Sequence, residues 1–174
     1  HTLGLPIGKH VVFCAKINGE MVERKYTPIS MVTQRGYVDI LLKVYFANVH
    51  PRFPDGGVMS QYVNKMNIGE HMLMEGPKGR LFYEGHGNFN IAKKPVTGKT
   101  KIGMISGGTG ITRATSIQAG LKNNDGTSHA LVFGNRTTND ILLKDELLAL
   151  KEQYPEKFKL FLTVDVQPDP SENW

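Results

Sequence analysis

Two rhythms run along this chain of 174 residues. Over about the first hundred positions, apolar side chains come in short alternating or β-branched runs broken by Gly, Pro and Asn. His10–Ile17 reads as a strand, Asn18-Gly19 as a tight hairpin turn, and residues 21–27 as the return strand, stopped by Pro28. A longer β-branched run covers residues 36–46. Pro51, Pro54 and Gly56-Gly57 then break the chain. Residues 58–66 carry Met59, Tyr62, Val63 and Met66 at helical spacing. Further strands are expected at residues 70–75, 80–83 and Asn88–Ile91. Many short strands with one helix predict a small antiparallel barrel.

Past a polar linker at residues 93–101 the period changes. A short apolar strand (102–106) runs into Gly107-Gly108-Thr109-Gly110. A helix is expected over residues 111–122, with Ile111, Ala114, Ile117 and Leu121 on one face. A strand at 130–134, a helix at 144–154 and a strand at Phe158–Val164 complete a βαβαβ order, half of a doubly wound nucleotide-binding fold. The fold class is therefore a two-domain β + α/β chain. An antiparallel barrel over residues 1–98 is followed by a parallel-sheet nucleotide-binding domain over residues 99–174. Both are expected to be incomplete. The chain opens at His1 almost directly in a strand pattern, and the sheet stops after three strands where about five or six are usual.

Composition narrows the class further. With 40% hydrophobic and 21% charged residues the chain can bury a core. No apolar run approaches the ~20 residues of a membrane helix, so a soluble segment is expected, with any membrane contact made through an N-terminal anchor lying ahead of it. The formal charge of +5 admits an acidic partner. The basic residues are scattered, without the stripe and interleaved aromatics of a nucleic-acid module, so nucleic acid is not an expected partner. Cys14, the single cysteine, sits in the apolar run Val11-Val12-Phe13-Cys14-Ala15 and reads as a buried, inert thiol. One thiol and no disulfide suit a cytoplasmic setting, on the face of a membrane if the intact protein is anchored. The six His are dispersed without a metal-ligand pair, so no metal is expected, and His50 reads as a loop residue.

Three segments could carry chemistry. Gly107-Gly108-Thr109-Gly110, between strand and helix, lets backbone N–H groups approach a phosphate. It lacks the G-x-G-x-x-G spacing, and an ordinary strand-to-helix turn competes with that use. In Arg24-Lys25-Tyr26-Thr27-Pro28-Ile29-Ser30, Arg24 is suited to a phosphate, Tyr26 on the same face to a flat ring, and Thr27 to a ring heteroatom. An exposed strand end is the ordinary alternative. Gly56-Gly57-Val58-Met59-Ser60-Gln61 places two glycines and a serine at a helix start, a second anion-binding geometry that a plain helix cap also explains.

Together these segments resemble the ferredoxin–NADP reductase superfamily, and within it the cytochrome b5 reductases. The Arg24–Ser30 stretch looks like the R-x-Y-T-P-x-S flavin motif. Leu42-Lys43-Val44-Tyr45-Phe46, His50-Pro51-Arg52-Phe53-Pro54 and the Gly56-Gly57 segment look like the family's next stretch of chain after that motif. Gly76-Pro77-Lys78-Gly79-Arg80-Leu81-Phe82-Tyr83 resembles the turn closing the barrel. Gly107-Gly108-Thr109-Gly110-Ile111-Thr112 and Asn139-Asp140-Ile141-Leu142-Leu143 resemble the nicotinamide half.

The resemblance implies FAD and NADH as cofactors and a haem protein of the cytochrome b5 kind as electron acceptor. Hydride would pass from NADH to FAD, and single electrons onward. Arg24 is implied at the FAD pyrophosphate, Tyr26 and Pro28 at the flavin, and Thr27 near its hydride-accepting nitrogen. Gly57, Val58, Met59 and Ser60 are implied in the phosphate cradle, and Thr112 beside the flavin. Lys43, Gly107, Gly108, Thr109 and Gly110 are implied at NADH, with Thr27, Thr112 and Lys43 nearest the chemistry. Val58 replaces a usual Lys, Arg113 a usual Pro, and Arg136 is the feature that favours a 2′-phosphate over NADH. A flavin module of a larger reductase of the nitrate reductase type, or a redox-inactive flavin-binding remnant, are the alternatives. The oligomeric state is left open.

Overall fold

The computed structural model describes residues 1–49, 51–114, 120–121 and 124–168. By contact the chain groups into two compact units, His1–Gly79 and Arg80–Trp174.

The first unit is built on a three-stranded antiparallel sheet, β2-β1-β3, formed by β1 (His10–Ile17), β2 (Glu20–Tyr26) and β3 (Leu73–Lys78). Asn18 and Gly19 turn the β1–β2 hairpin with φ of 52° and 87°, the left-handed pair that matches strand twist. β1 lies between its two partners and is buried along most of its length, so alternation gives way to a continuous apolar run. Val11, Phe13 and Ala15 face helix α1 (Val58–Lys65), whose Met59, Tyr62 and Val63 close this core. Full burial of a Val, Phe or Met side chain such as Val11, Phe13 or Met59 contributes roughly 1.5–3 kcal/mol. Cys14 is buried with its thiol toward the Val12 carbonyl, and burial, with Glu75 and Glu23 nearby, pushes its pKa up. That is the inert thiol the apolar run predicts.

The long β-branched run at residues 36–46 does not become a ladder strand. Ile29 N–H donates to the Asp39 carbonyl (2.9 Å), and Pro28 and Ile40 form one isolated bridge. Pro28 has no N–H to extend the pairing. Beyond that point the Tyr45 backbone bonds to the head of α1 instead: its carbonyl accepts from Gly57 N–H (2.8 Å) and its N–H donates to Ser60 Oγ (3.2 Å).

The second unit opens with the antiparallel strands β4 (Leu81–Gly85), β5 (Asn88–Ile91) and β6 (Lys94–Val96). β6 lies in the stretch expected to be linker; the left-handed turn at Ala92 and Lys93 returns the chain onto β5. Next comes a parallel sheet, β7 (Lys101–Gly107), β8 (Ser128–Asn135) and β9 (Phe158–Val164), in the order β7-β8-β9. Helix α2 (Lys144–Gln153) precedes β9. Met104, Leu131 and Leu160 pair in register on one face, as do Ser106, Phe133 and Leu162. That face packs on Ile111, Leu121, Ile141, Leu147 and Leu150. The opposite face carries Ile105, Val132 and Phe161 in register and exposed. The helix expected over residues 111–122 lies largely outside the described residues, as does His50. The first described residues of that stretch belong to a 3-10 helix, Gly108–Ala114.

Candidate functional site

Each unit gathers one group of the expected residues. In the first, strand alternation puts Val22, Arg24 and Tyr26 on the face of β2 that meets α1. Arg24 is held opposite Phe13 in the ladder and its exposed guanidinium spends one N–H on the Glu23 carbonyl (2.8 Å). Tyr26 packs on Phe13, with ring centroids 4.7 Å apart at 46°. Burial, and the Tyr45 phenol near it, raise the Tyr26 pKa, while Arg24 works the other way. Arg24, Tyr26 and Tyr45 therefore share one small region. Thr27 and Pro28 are buried at the strand's end, and Lys43 is exposed on the segment leading to Tyr45.

The head of α1 joins this region. Gly57 caps the helix without any side-chain cap, so the N–H groups of Val58, Met59 and Ser60 keep the open valence of a first helical turn. That is the chemistry of an anion site. The Ser60 hydroxyl is used internally: it donates to the Gly57 carbonyl (3.0 Å) and accepts from Tyr45 N–H. Ser60 thus offers a ligand its backbone N–H. Gln61 braces the turn, its amide donating to the Asp55 carbonyl (2.9 Å). Arginine, two phenols and bare helix-head amides suit an aromatic diphosphate such as FAD.

In the second unit, Gly107, Gly108, Thr109 and Gly110 cross from β7 into the 3-10 helix at the carboxyl ends of the parallel strands. Gly108 takes φ +47°, and a Cβ on Gly107, Gly108 or Gly110 would meet only open space. The backbone there is bare, as close approach by a dinucleotide requires. Thr112 is buried, its hydroxyl donating to the Thr109 carbonyl (3.1 Å), and fixes the loop from within. Asn135 ends β8 with both carboxamide atoms buried and without a hydrogen-bond partner, an uncompensated polar group at the strand crest. The Asn139-Asp140 stretch serves locally: Asp140 accepts from the Thr137 N–H (3.2 Å) and hydroxyl (2.8 Å). Arg136 is exposed beside it.

Sequence reasoning passes over two features. Tyr45 stands only inside a longer motif, because its part is played by the backbone and by a contact with Tyr26. Asp125, buried among Tyr83, Thr127 and His129, sits in a loop whose composition gives no sign of a buried charge.

Comparison with known proteins agrees with this division. An oxidoreductase FAD-binding domain model matches residues 1–83, and an oxidoreductase NAD-binding domain model matches residues 104–174. These are the flavin-binding and nicotinamide-binding domain types of oxidoreductases. NADH-cytochrome b5 reductase 3 of Rattus norvegicus is 47% identical over 176 residues, covering 97% of this chain and 58% of that protein. Nitrate reductase [NADH] 1 of Oryza sativa subsp. japonica is 45% identical over 99% of this chain and 19% of its own length. The crystal structure of the cytochrome b5 reductase domain of Ulva prolifera nitrate reductase superposes with a TM-score of 0.92 at 39% identity, over 100% of this chain and 66% of that one. The chain thus joins an oxidoreductase FAD-binding domain to an oxidoreductase NAD-binding domain and is similar over nearly its whole length to cytochrome b5 reductases. It spans less than two thirds of the length of the relatives it matches.

Proposed function

We propose that this chain is the cofactor-binding part of a flavoprotein reductase that takes hydride from NADH and delivers single electrons to a haem protein of the cytochrome b5 kind. Residues 1–98 hold FAD and residues 99–174 the nicotinamide dinucleotide. The observation that carries the reading is the meeting of Arg24, Tyr26 and Tyr45 with the uncapped head of α1 in one unit.

When bound, FAD supplies the two-electron to one-electron conversion, and the protein supplies position and charge. Arg24 and the N–H groups of Val58, Met59 and Ser60 neutralise the pyrophosphate. Tyr26, set by Phe13, gives a flat face for the ring, and Thr27 a hydroxyl for a ring nitrogen. The glycine loop lets the dinucleotide lie against backbone, with Lys43 and Thr112 as the remaining polar contributors. No residue is asked to act as an acid or base.

The test is direct. The purified chain loaded with FAD is expected to be yellow and to bleach when NADH is added anaerobically. A chain that takes up no FAD sinks this reading and favours a remnant. Running NADH and NADPH at equal concentration decides whether Arg136 redirects the preference. A valine at Gly108 is expected to leave FAD in place but raise the NADH requirement about tenfold. It fills the open space over the loop and strains a left-handed backbone by about 1 kcal/mol or more. An unchanged NADH requirement removes Gly108 from the site.

A second reading has its own support. The likeness to a nitrate reductase extends over 99% of this chain, and the Ulva prolifera structure is a domain of such an enzyme. In that setting the same chemistry serves as an internal module, with the haem acceptor on the same polypeptide.

A further inference from the structure

The second unit contains a buried polar chain that the proposed cofactor chemistry leaves unused. Asp125 is 8% exposed and its carboxylate is fully engaged. Oδ1 accepts from the Thr127 N–H (3.1 Å) and hydroxyl (2.5 Å). Oδ2 accepts from the Tyr83 phenol and from His86 N–H (3.1 Å). The Tyr83 oxygen in turn accepts from Gly87 N–H (3.1 Å), and His86 Nδ1–H donates to the Asp125 carbonyl (3.3 Å). The β4–β5 turn, His86-Gly87, is thus held at both residues by Asp125 or by the phenol bound to it.

The chain continues through Thr127 Oγ to His129 Nε2, 2.8 Å away. A hydroxyl has one hydrogen, and that of Thr127 goes to the carboxylate. Nε2 must therefore carry the proton and donate to Thr127. His129 is then the neutral Nε2–H tautomer, and its Nδ1 is a bare acceptor, buried and without a partner. A second ring proton at Nδ1 would place a cation and an unpaired donor in a site that is 3% exposed.

We propose that Tyr83, Asp125, Thr127 and His129 form a protonation-sensitive latch, which fastens the β4–β5 turn to the start of β8 and loosens when His129 gains a second ring proton. Among the described residues, the ionisable group acting on His129 is Asp125, which Tyr83 and His86 of the hairpin contact in turn. Lys157, before β9, presents its backbone carbonyl to His129 N–H (2.7 Å) while its ammonium goes to Asn124.

Burial lowers the His129 pKa, and the Asp125 charge offsets only part of that. The unfolded chain therefore binds this proton at a higher pH than the folded one. Stability is complete above the ordinary histidine value and falls as pH drops through it. Asp125 adds a second, more acidic limb. Burial opposes its charge, but the hydrogen bonds from Thr127, Tyr83 and His86 outweigh that and hold its pKa below the ordinary carboxylate value. Its contribution is complete above the ordinary carboxylate value and is lost progressively as pH falls from there through the folded value.

His129→Gln keeps an N–H donor toward Thr127 but cannot titrate. Below about pH 6.5, the unfolding constant of the parent chain is expected to rise by up to about tenfold per pH unit more than that of the variant. Amide exchange at His86 and Gly87, corrected for its intrinsic pH dependence, is expected to quicken over the same interval more than exchange at Leu131. Equal pH slopes for parent and variant overturn the latch. If H129Q does not fold, the ring titration of His129 in the parent, followed by NMR, decides instead. A value below about 6.5 supports the latch, and one at or above it overturns the idea.

Discussion

Replacing Arg24 with alanine is expected to weaken FAD retention by about 10- to 100-fold while leaving the fold intact. Its backbone is fixed opposite Phe13, so the side chain emerges at a set height beside Tyr26. Among the described residues, one of its five N–H donors is spent, on the Glu23 carbonyl. A charged hydrogen bond to phosphate contributes roughly 1.5–3 kcal/mol, which gives the predicted range. Because the guanidinium is exposed, stability without FAD should change by no more than about 0.5 kcal/mol. Lysine at this position restores charge but not the fork, so R24K should fall between parent and alanine. Dilution of the loaded protein, followed by the rise of free-flavin fluorescence, measures the loss. Retention equal to the parent's would remove Arg24 from the pyrophosphate.

The parts of this molecule that are legible in the sequence are those dictated locally. Asn18-Gly19 has the two backbone angles its residue types favour, and the strands on either side are placed by it. β5 and β9 begin and end where the apolar runs do. Arg24 and Tyr26 pair as candidates because residues two apart on a strand share a face. The failures share a cause as well. Residues 36–46 have the composition of a strand, yet pairing needs a partner, and Pro28 withholds the N–H that would prolong it. β6 is three residues long and opens with two exposed positions, too little pattern to separate from a linker. Ser60 is legible as a residue of the helix start, but the use of its hydroxyl by the Tyr45 N–H, fifteen positions away, is not. The latch is the extreme case. Tyr83 and Asp125 are 42 positions apart, and nothing in either segment marks a buried carboxylate. Chemistry assembled by distant contacts becomes visible only once the fold brings it together.

Gly56→Ala is expected to cost about 2–4 kcal/mol of stability and to loosen FAD with it, from two sources that can be separated. The first is backbone conformation: Gly56 has φ +68°, where an L side chain is strained by about 1 kcal/mol. The second is space. A Cβ there would strike the Tyr45 carbonyl oxygen and stand 2.7 Å from the Phe46 carbonyl carbon and 2.8 Å from Ala47 N. These are backbone atoms and cannot swing aside as a side chain would. Relief comes only by pushing residues 45–47 away from α1, which breaks the bonds of Tyr45 to Gly57 and Ser60 and shifts the phenol beside Tyr26. Gly36 supplies the control, since it has φ +83° with nothing within 4 Å of the added carbon. Gly36→Ala should show the conformational cost alone, about 1 kcal/mol, with FAD held as in the parent. Denaturant unfolding of both variants, with and without FAD, isolates the crowding as the difference between them. Equal costs would mean that residues 45–47 yield freely, and the tie between Tyr45 and the helix head would then not be what shapes the flavin site.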